Sequence, residues 1–206
     1  MALIIGLTGS IGTGKSLIAK KISALGIPVV DADLIAREVV EPDKNAYKKI
    51  VATFGEEILQ SDGTLDRKAL GEIVFNDEAK RKTLNAIIHP AIREEMLRQR
   101  DEWVQQGKKC VVLDIPLLYE SGLTHFVDKV IVVFVNPDVQ LQRIIARDHS
   151  TEQEAKSRIN SQIPVGEKAK KADAVIDNNG TKEESYHQLE KILTEWGIIR
   201  NKKGNL

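Results

Sequence analysis

Short apolar runs alternate along the chain with longer segments whose apolar residues recur every three or four positions, the pattern expected of a parallel sheet wrapped by helices. Five runs read as strands: Leu3 to Leu7, Pro28 to Asp31, Cys110 to Ile115, Val130 to Val135 and Ala174 to Ile176. They are short, rich in β-branched residues and nearly continuous in apolar character, as strands covered on both faces should be. The first helical segment runs to about Leu25, where Gly26 terminates it and Pro28 reinforces the stop. The last places Tyr186, Leu189, Leu193 and Trp196 on one stripe, a face suited to covering the sheet.

Nearly eighty residues separate the second strand from the third, far more than an ordinary connection, and their periodicity is helical throughout. Tyr47, Ile50, Val51 and Phe54 share one helix face, Asp62-Gly63 marks a turn, and Leu70, Ile73 and Val74 mark another helix. Leu84, Ile87 and Ile88 lead into His89-Pro90, where the proline either kinks a long helix or starts a new one. A second helical zone, Asp138 to about Gln162, is rich in charge, and such a face is commonly just solvated. The chain therefore reads as one domain over 1–206: a core of about 1–40, 108–137 and 172–206, a helical insertion of about 41–107, and a helical segment of about 138–171.

The most specific chemistry follows the first strand. Gly9-Ser10-Ile11-Gly12-Thr13-Gly14-Lys15-Ser16 is a complete G-x-x-x-x-G-K-[ST] loop between a strand and a helix. Its glycines let the backbone curl so that several N–H groups point at a phosphate, aided by the dipole of the following helix. Lys15 supplies a charge able to span β- and γ-phosphates, and the Ser16 hydroxyl suits magnesium.

Charge and composition narrow the partner. Thirty basic residues balance thirty acidic ones, and like charges form no long block before Lys202-Lys203, so nothing draws the chain to nucleic acid. Cys110 is the one cysteine, which excludes an internal disulfide and reads as a small buried hydrophobe, at home in a reducing cytoplasm. No secretory pattern or apolar stretch of about eighteen residues appears, so no membrane partner is expected.

Further candidates lie where an open parallel sheet keeps its ligands, beyond the carboxyl ends of the strands. Asp31 and Asp33 end the second strand; Asp33 reads as a base for an acceptor hydroxyl or as a helix cap, and Asp31 as a helper or structural residue. Arg143 and Arg147 stand four apart, about 6 Å along a helix, and can reach one triphosphate; alternatively Arg147 pairs with Asp148 or Glu152. Asp114 ends the third strand as a magnesium helper or a turn residue, and Asn178-Asn179-Gly180 is either an adenine-reading turn or plain turn chemistry. His89 reads first as a structural group, while His125, His149 and His187 show no ligand spacing and no zinc cluster exists.

Taken together, Leu7 through Ser16, Asp31-Ala32-Asp33, His89-Pro90, Pro116-Leu117-Leu118-Tyr119-Glu120, Gln142-Arg143 with Arg147-Asp148, and Ala172-Asp173 through Asn178 resemble the dephospho-CoA kinase family over nearly the whole chain. The resemblance implies an α/β, P-loop nucleotide-kinase-like three-layer sandwich with a five-stranded parallel sheet, a helical substrate-binding insertion and a helical lid. It implies ATP-dependent phosphorylation of the ribose 3′-hydroxyl of dephospho-CoA, with Mg2+, in a cytoplasmic monomer or weak homo-oligomer. By position it makes Asp33 the base, Lys15 and Arg143 the groups that stabilise the phosphoryl, and Ser16 the metal ligand. The loop from Gly9 through Leu17, with Arg147 and Asn178, would bind ATP, and Thr8, His89, Arg93 and Leu118 would contact the acceptor. Leu17 stands where the family often has threonine, leaving its helix amide as the expected α-phosphate contact. The rivals are another small-metabolite or nucleotide kinase, and a nucleotide-dependent switch, for which a guanine-reading N-K-x-D is missing.

Overall fold

The computed structural model describes residues 2–200, so the Lys202-Lys203 tail lies outside the described residues. The chain divides into two compact units, one built from Met1–Val30 with Glu102–Leu206 and the other from Asp31–Asp101. In chain order the elements are β1 (Leu3–Gly9), α1 (Lys15–Ala24), β2 (Val29–Asp31), α2 (Ala32–Glu38), α3 (Asn45–Phe54), α4 (Arg67–Phe75), α5 (Glu78–Gln105), β3 (Cys110–Asp114), β4 (Lys129–Phe134), α6 (Pro137–Asp148), α7 (Glu152–Asn160), α8 (Val165–Ala169), β5 (Ala174–Asp177) and α9 (Lys182–Glu195).

The five strands form one sheet in the order β2-β3-β1-β4-β5. β1 lies centrally and pairs in parallel with β3 and β4, and β4 with β5. All five predicted strands are present, with ends moved by one or two residues; β1 extends two residues further because Thr8 and Gly9 still find partners in Val132 and Val133. Strand alternation sends Ile5, Leu7, Val112, Ile131, Val133 and Ile176 to one face, where Ile18 and Ile22 of α1 and Leu189, Ile192 and Leu193 of α9 close over them. Cys110 belongs to this core, and burial pushes its thiol up to about 12, the behaviour of the small hydrophobe expected from sequence.

On the opposite face the backbone needs a glycine. A Cβ on Gly6 would stand 2.9 Å from Leu118 Cδ2 and 3.2 Å from Val127, so the segment after β3 seats directly against β1. Helix boundaries follow their chemistry. Gly26, at φ +78, ends α1. Thr151 with Glu154 and Thr181 with Glu184 form capping boxes at the starts of α7 and α9.

The second unit carries α2, α3, α4 and most of α5. Its predicted helices appear, and the alternative left open at His89-Pro90 resolves to one continuous helix, with Pro90 inside α5. Its buried apolar residues include Ile35 of α2, Ala46 and Ile50 of α3, Ile58, Leu70 of α4, and Leu84 and Met96 of α5. Tyr47 fastens the Asp62-Gly63 turn by donating its hydroxyl to the Gly63 carbonyl at 2.5 Å. The charged zone from Asp138 onward is three helices, α6 to α8, because His149 turns left-handed at φ +50 and Pro164 starts a new helix.

Candidate active site

The loop of residues 9–16 runs from the end of β1 into α1, as its spelling requires. Gly12 and Gly14 adopt φ +79 and +87, and a Cβ on Gly14 would lie 2.2 Å from Asn178 Nδ2, so both glycines are demanded by shape as well as by dihedral. What holds the loop is a set of donors aimed at its carbonyls. The Gly9 carbonyl accepts from Lys168 Nζ at 2.9 Å, and that of Ser10 accepts from Thr13, through the hydroxyl at 2.9 Å and the amide at 3.2 Å. Gln140 Nε2 donates to the Ile11 carbonyl at 2.7 Å, and Asn178 Nδ2 to that of Thr13 at 2.8 Å. A trans peptide carries its C=O and the next N–H on opposite sides, so tying these carbonyls fixes where the N–H groups of Gly12 and Gly14 point.

Lys15 opens α1, and its ammonium lies 2.5 Å from Oδ1 of Asp114 at the end of β3. The register that pairs Leu7 with Asp114 puts this carboxylate at the level of the loop. Asp114 is almost fully buried, so the pair holds both charges in place out of solvent. Ser16, next along α1, is exposed, and its hydroxyl makes no hydrogen bond among the described residues. In α6, Arg143 Nη2 donates to the carbonyl of Asn178 at 2.9 Å.

At four positions the structure differs from the expectation. Asn178 is buried with all its polar groups engaged: its amide N–H donates to Phe134, its carbonyl accepts from Arg143, its Oδ1 accepts from Ser185 and its Nδ2 holds Thr13. It braces the loop and is not set to read an adenine. The Leu17 N–H expected to serve an α-phosphate donates to the Gly14 carbonyl at 2.9 Å. Leu118 is fully buried against Gly6, and so presents no surface to a substrate. Thr8, likewise buried, spends its hydroxyl on the Pro116 carbonyl at 3.0 Å.

Arg147 takes the alternative weighed for it. Its Nε and Nη2 both donate to the Asp148 carboxylate, at 2.7 and 2.9 Å, and its side chain is 58% exposed. Hydrogen bonding from Arg147 is the main cause that lowers Asp148 and raises Arg147 from their ordinary pKa values. In the second unit the cap role falls to Asp31, whose Oδ1 accepts from the N–H groups of Asp33 and Leu34 at 2.8 and 3.0 Å. The Asp33 carboxylate is left exposed in the first turn of α2. His89 and Arg93 lie one turn apart on α5, the former exposed and the latter half-buried. Sequence reasoning missed Gln140 and Lys168; the one available signal was a glutamine on the stripe that Ile144 continues, and Lys168 had none, lying in a run of ordinary charge.

A parallel α/β sheet whose central strand feeds a braced glycine loop, with a lysine at the helix start, defines a P-loop nucleotide-binding protein. The comparisons refine that class. The family model for dephospho-CoA kinase matches residues 3–184, and the chain belongs to that family. The dephospho-CoA kinase of Geobacillus kaustophilus is 56% identical over 97% of this chain and 99% of its own length. That of Shouchella clausii is 57% identical over 93% and 97%. Among solved structures, the dephospho-CoA kinase of Campylobacter jejuni superposes with a TM-score of 0.74 at 34% identity, covering 95% of this chain and 98% of that one. A Thermus thermophilus protein gives 0.79 at 33%, over 94% and 97%.

Proposed function

We propose that this chain performs the family's reaction: it transfers the γ-phosphate of ATP to the ribose 3′-hydroxyl of dephospho-CoA, giving CoA and ADP, the last step of CoA synthesis. The observation that carries the reading is the loop itself, with each of the carbonyls of Gly9, Ser10, Ile11 and Thr13 tied to an internal donor. A loop so held meets a polyphosphate with the N–H groups of Gly12 and Gly14 already oriented, which lowers the ordering cost of binding.

Phosphoryl transfer asks little covalent work of a protein, so the gain lies in alignment and fixed positive charge. Lys15 supplies the charge at the loop, and Arg143 adds a second from α6, held at one end by Asn178. Asp33 serves as the base that orients the acceptor hydroxyl and takes its proton, a task suited to a carboxylate with no hydrogen bond to break among the described residues. Arg93 and His89 of α5 are read as acceptor contacts, and cytoplasm, where ATP is abundant, as the setting.

Magnesium fits the residues present. The free Ser16 hydroxyl and the Asp114 carboxylate are hard oxygen donors, and among the described residues no group of three or more acidic, His or Cys residues forms a cage of its own. That is the expected arrangement for an ion that keeps water and phosphate as its main ligands, and it would supply charge neutralisation there. The segment 138–171 is read as a lid, with a restriction from its bonds: Gln140 and the stretch Gln162 to Lys168 are fastened to the loop, so closing movement belongs to the end of α6 and to α7.

The test is stoichiometric. Purified protein with ATP and magnesium should form ADP only when dephospho-CoA is supplied, one ADP for each 3′-phosphorylated product. ADP formed at the same rate without acceptor, or with shikimate- or nucleoside-type acceptors instead, would assign the chain to one of the rival readings.

A further inference from the structure

Lys168 is the largest fully buried side chain in the described residues, and it is charged. Its ammonium, 0% exposed, sits 2.7 Å from Glu120 Oε1, donates to the Gly9 carbonyl at 2.9 Å and reaches the Pro116 carbonyl at 3.4 Å. Three N–H groups thus meet three acceptors, all an ammonium can use. Glu120 Oε1 also accepts from the Ile163 N–H at 3.0 Å, and its other oxygen is buried with no hydrogen-bond partner among the described residues. The stretch before α8 reaches the loop twice more: Gln162 Oε1 accepts from the Ile11 N–H at 2.9 Å, and Ser10 Oγ donates to the Ile163 carbonyl at 3.3 Å.

A buried ion pair is a poor way to add stability, because desolvation of both charges offsets most of their attraction. The place of this pair is therefore informative. It lies behind the first glycine of the phosphate loop, at the last peptide of β1, and joins three segments distant in sequence: the loop, the residues after β3, and the α7–α8 connection. Because the peptide is planar, gripping the Gly9 carbonyl sets the plane of the Gly9-Ser10 link and the direction in which the loop leaves the sheet. Lys168 does not face solvent and so touches no nucleotide itself.

We infer that Lys168, held by Glu120, is a positioning residue for ATP: it fixes the entry of the phosphate loop through the Gly9 carbonyl and couples that entry to the segment Gln162–Lys168. The inference rests on the ATP reading of the loop but not on the acceptor, and its test is read on ATP alone. A structural role and a positioning role separate in a pair of variants. Lys168→Met strands the Glu120 charge in the interior, and both melting temperature and ATP affinity should fall. Adding Glu120→Gln removes the stranded charge and keeps an oxygen for Ile163, so most of the melting temperature should return while the dissociation constant for ATP stays raised by about tenfold. Lys168→Arg, which keeps the charge and so strands no carboxylate, should raise that constant about fivefold, since a planar guanidinium cannot meet the same three acceptors.

ATP affinity is measured by calorimetry without acceptor, and steady-state KM for dephospho-CoA should stay within about twofold in every variant that folds. Recovery of ATP affinity together with stability in the double variant, or wild-type affinity in Lys168→Arg, would overturn the inference; where the double variant does not fold, Lys168→Arg decides. Wild-type protein that binds ATP yet leaves dephospho-CoA untouched would sink the functional reading instead, and leave this one standing.

Discussion

The unit that holds the phosphate loop and the unit that spans Asp31–Asp101 treat their polar residues in opposite ways. Around the loop, Lys168, Gln140, Asn178, Thr8, Thr13 and Asp114 are all buried, and each is bonded within the protein. In the other unit the residues assigned to the acceptor, Asp33, His89 and Arg93, lie exposed or half-buried, and none of their side chains is tied down among the described residues. Ion pairs there, such as Glu95 with Arg98, Glu78 with Lys82 and Arg100 with Asp101, join near neighbours along α5. A site for a common, highly charged cosubstrate is built in advance. Under the proposed function, the polar groups of the acceptor unit stay free to be satisfied by the acceptor, and discrimination would follow where a wrong acceptor excludes water from them without pairing them.

That contrast can be broken experimentally, most severely at Lys15. Lys15→Ala removes the loop's cation and takes from the buried Asp114 carboxylate its ion-pair partner, so turnover should fall by about a thousandfold or more. Single-turnover phosphoryl transfer at saturating ATP checks this, and a loss under about tenfold would remove Lys15 from the chemistry. In the acceptor unit, Asp33→Asn should cost about a hundredfold in turnover, the typical yield of a positioned base. It should leave ATP affinity nearly intact, because Asp33 supports no part of the loop; turnover within about threefold of wild type would mean that Asp33 is not the base.

Arg143 sharpens the line between the two. Its guanidinium has one donor spent on Asn178, so Arg143→Ala should weaken ATP binding a few-fold and lower turnover about tenfold, and equal losses in the two would place its charge in ground-state binding. The smallest effect concerns stability alone. Hydrogen bonds from Arg98, and to a lesser degree Gln99, hold Glu95 at about 2, below its ordinary 4.5. A carboxylate depressed in the folded state contributes stability that is complete above its unfolded pKa, so this contribution should fade as pH falls from about 4.5 toward 2. Glu95→Gln should flatten that part of a denaturant-midpoint profile against pH and leave kinetic constants at neutral pH unchanged.

Strand positions, the phosphate loop and most helices were legible because each is a local matter. Apolar runs, the stop at Gly26, and a glycine-lysine-serine spelling declare themselves within a dozen residues. Pro90 was legible only as an alternative, since tertiary packing decides whether a proline interrupts a helix or is absorbed by it. Asn178, a candidate from its place at a strand's ligand edge, and Leu118, a candidate only through the family resemblance, both turn inward for a related reason. Residues at a strand's ligand edge are near a substrate on average, yet whether a side chain turns outward or braces the loop depends on partners such as Thr13 and Gly6, more than a hundred residues away.

By itself the sequence determined the sheet's five strands, the site of the phosphate cradle and the family, because these rest on short-range patterns and on fixed spelling. Tertiary structure alone decided which polar residues hold that cradle. Lys168 lies in a stretch as charged as its exposed neighbours Glu167 and Lys170, and only the meeting of α8 with Gly9, Pro116 and Glu120 turns it inward. Burial of a charge is a property of everything packed around it, and no local pattern records that.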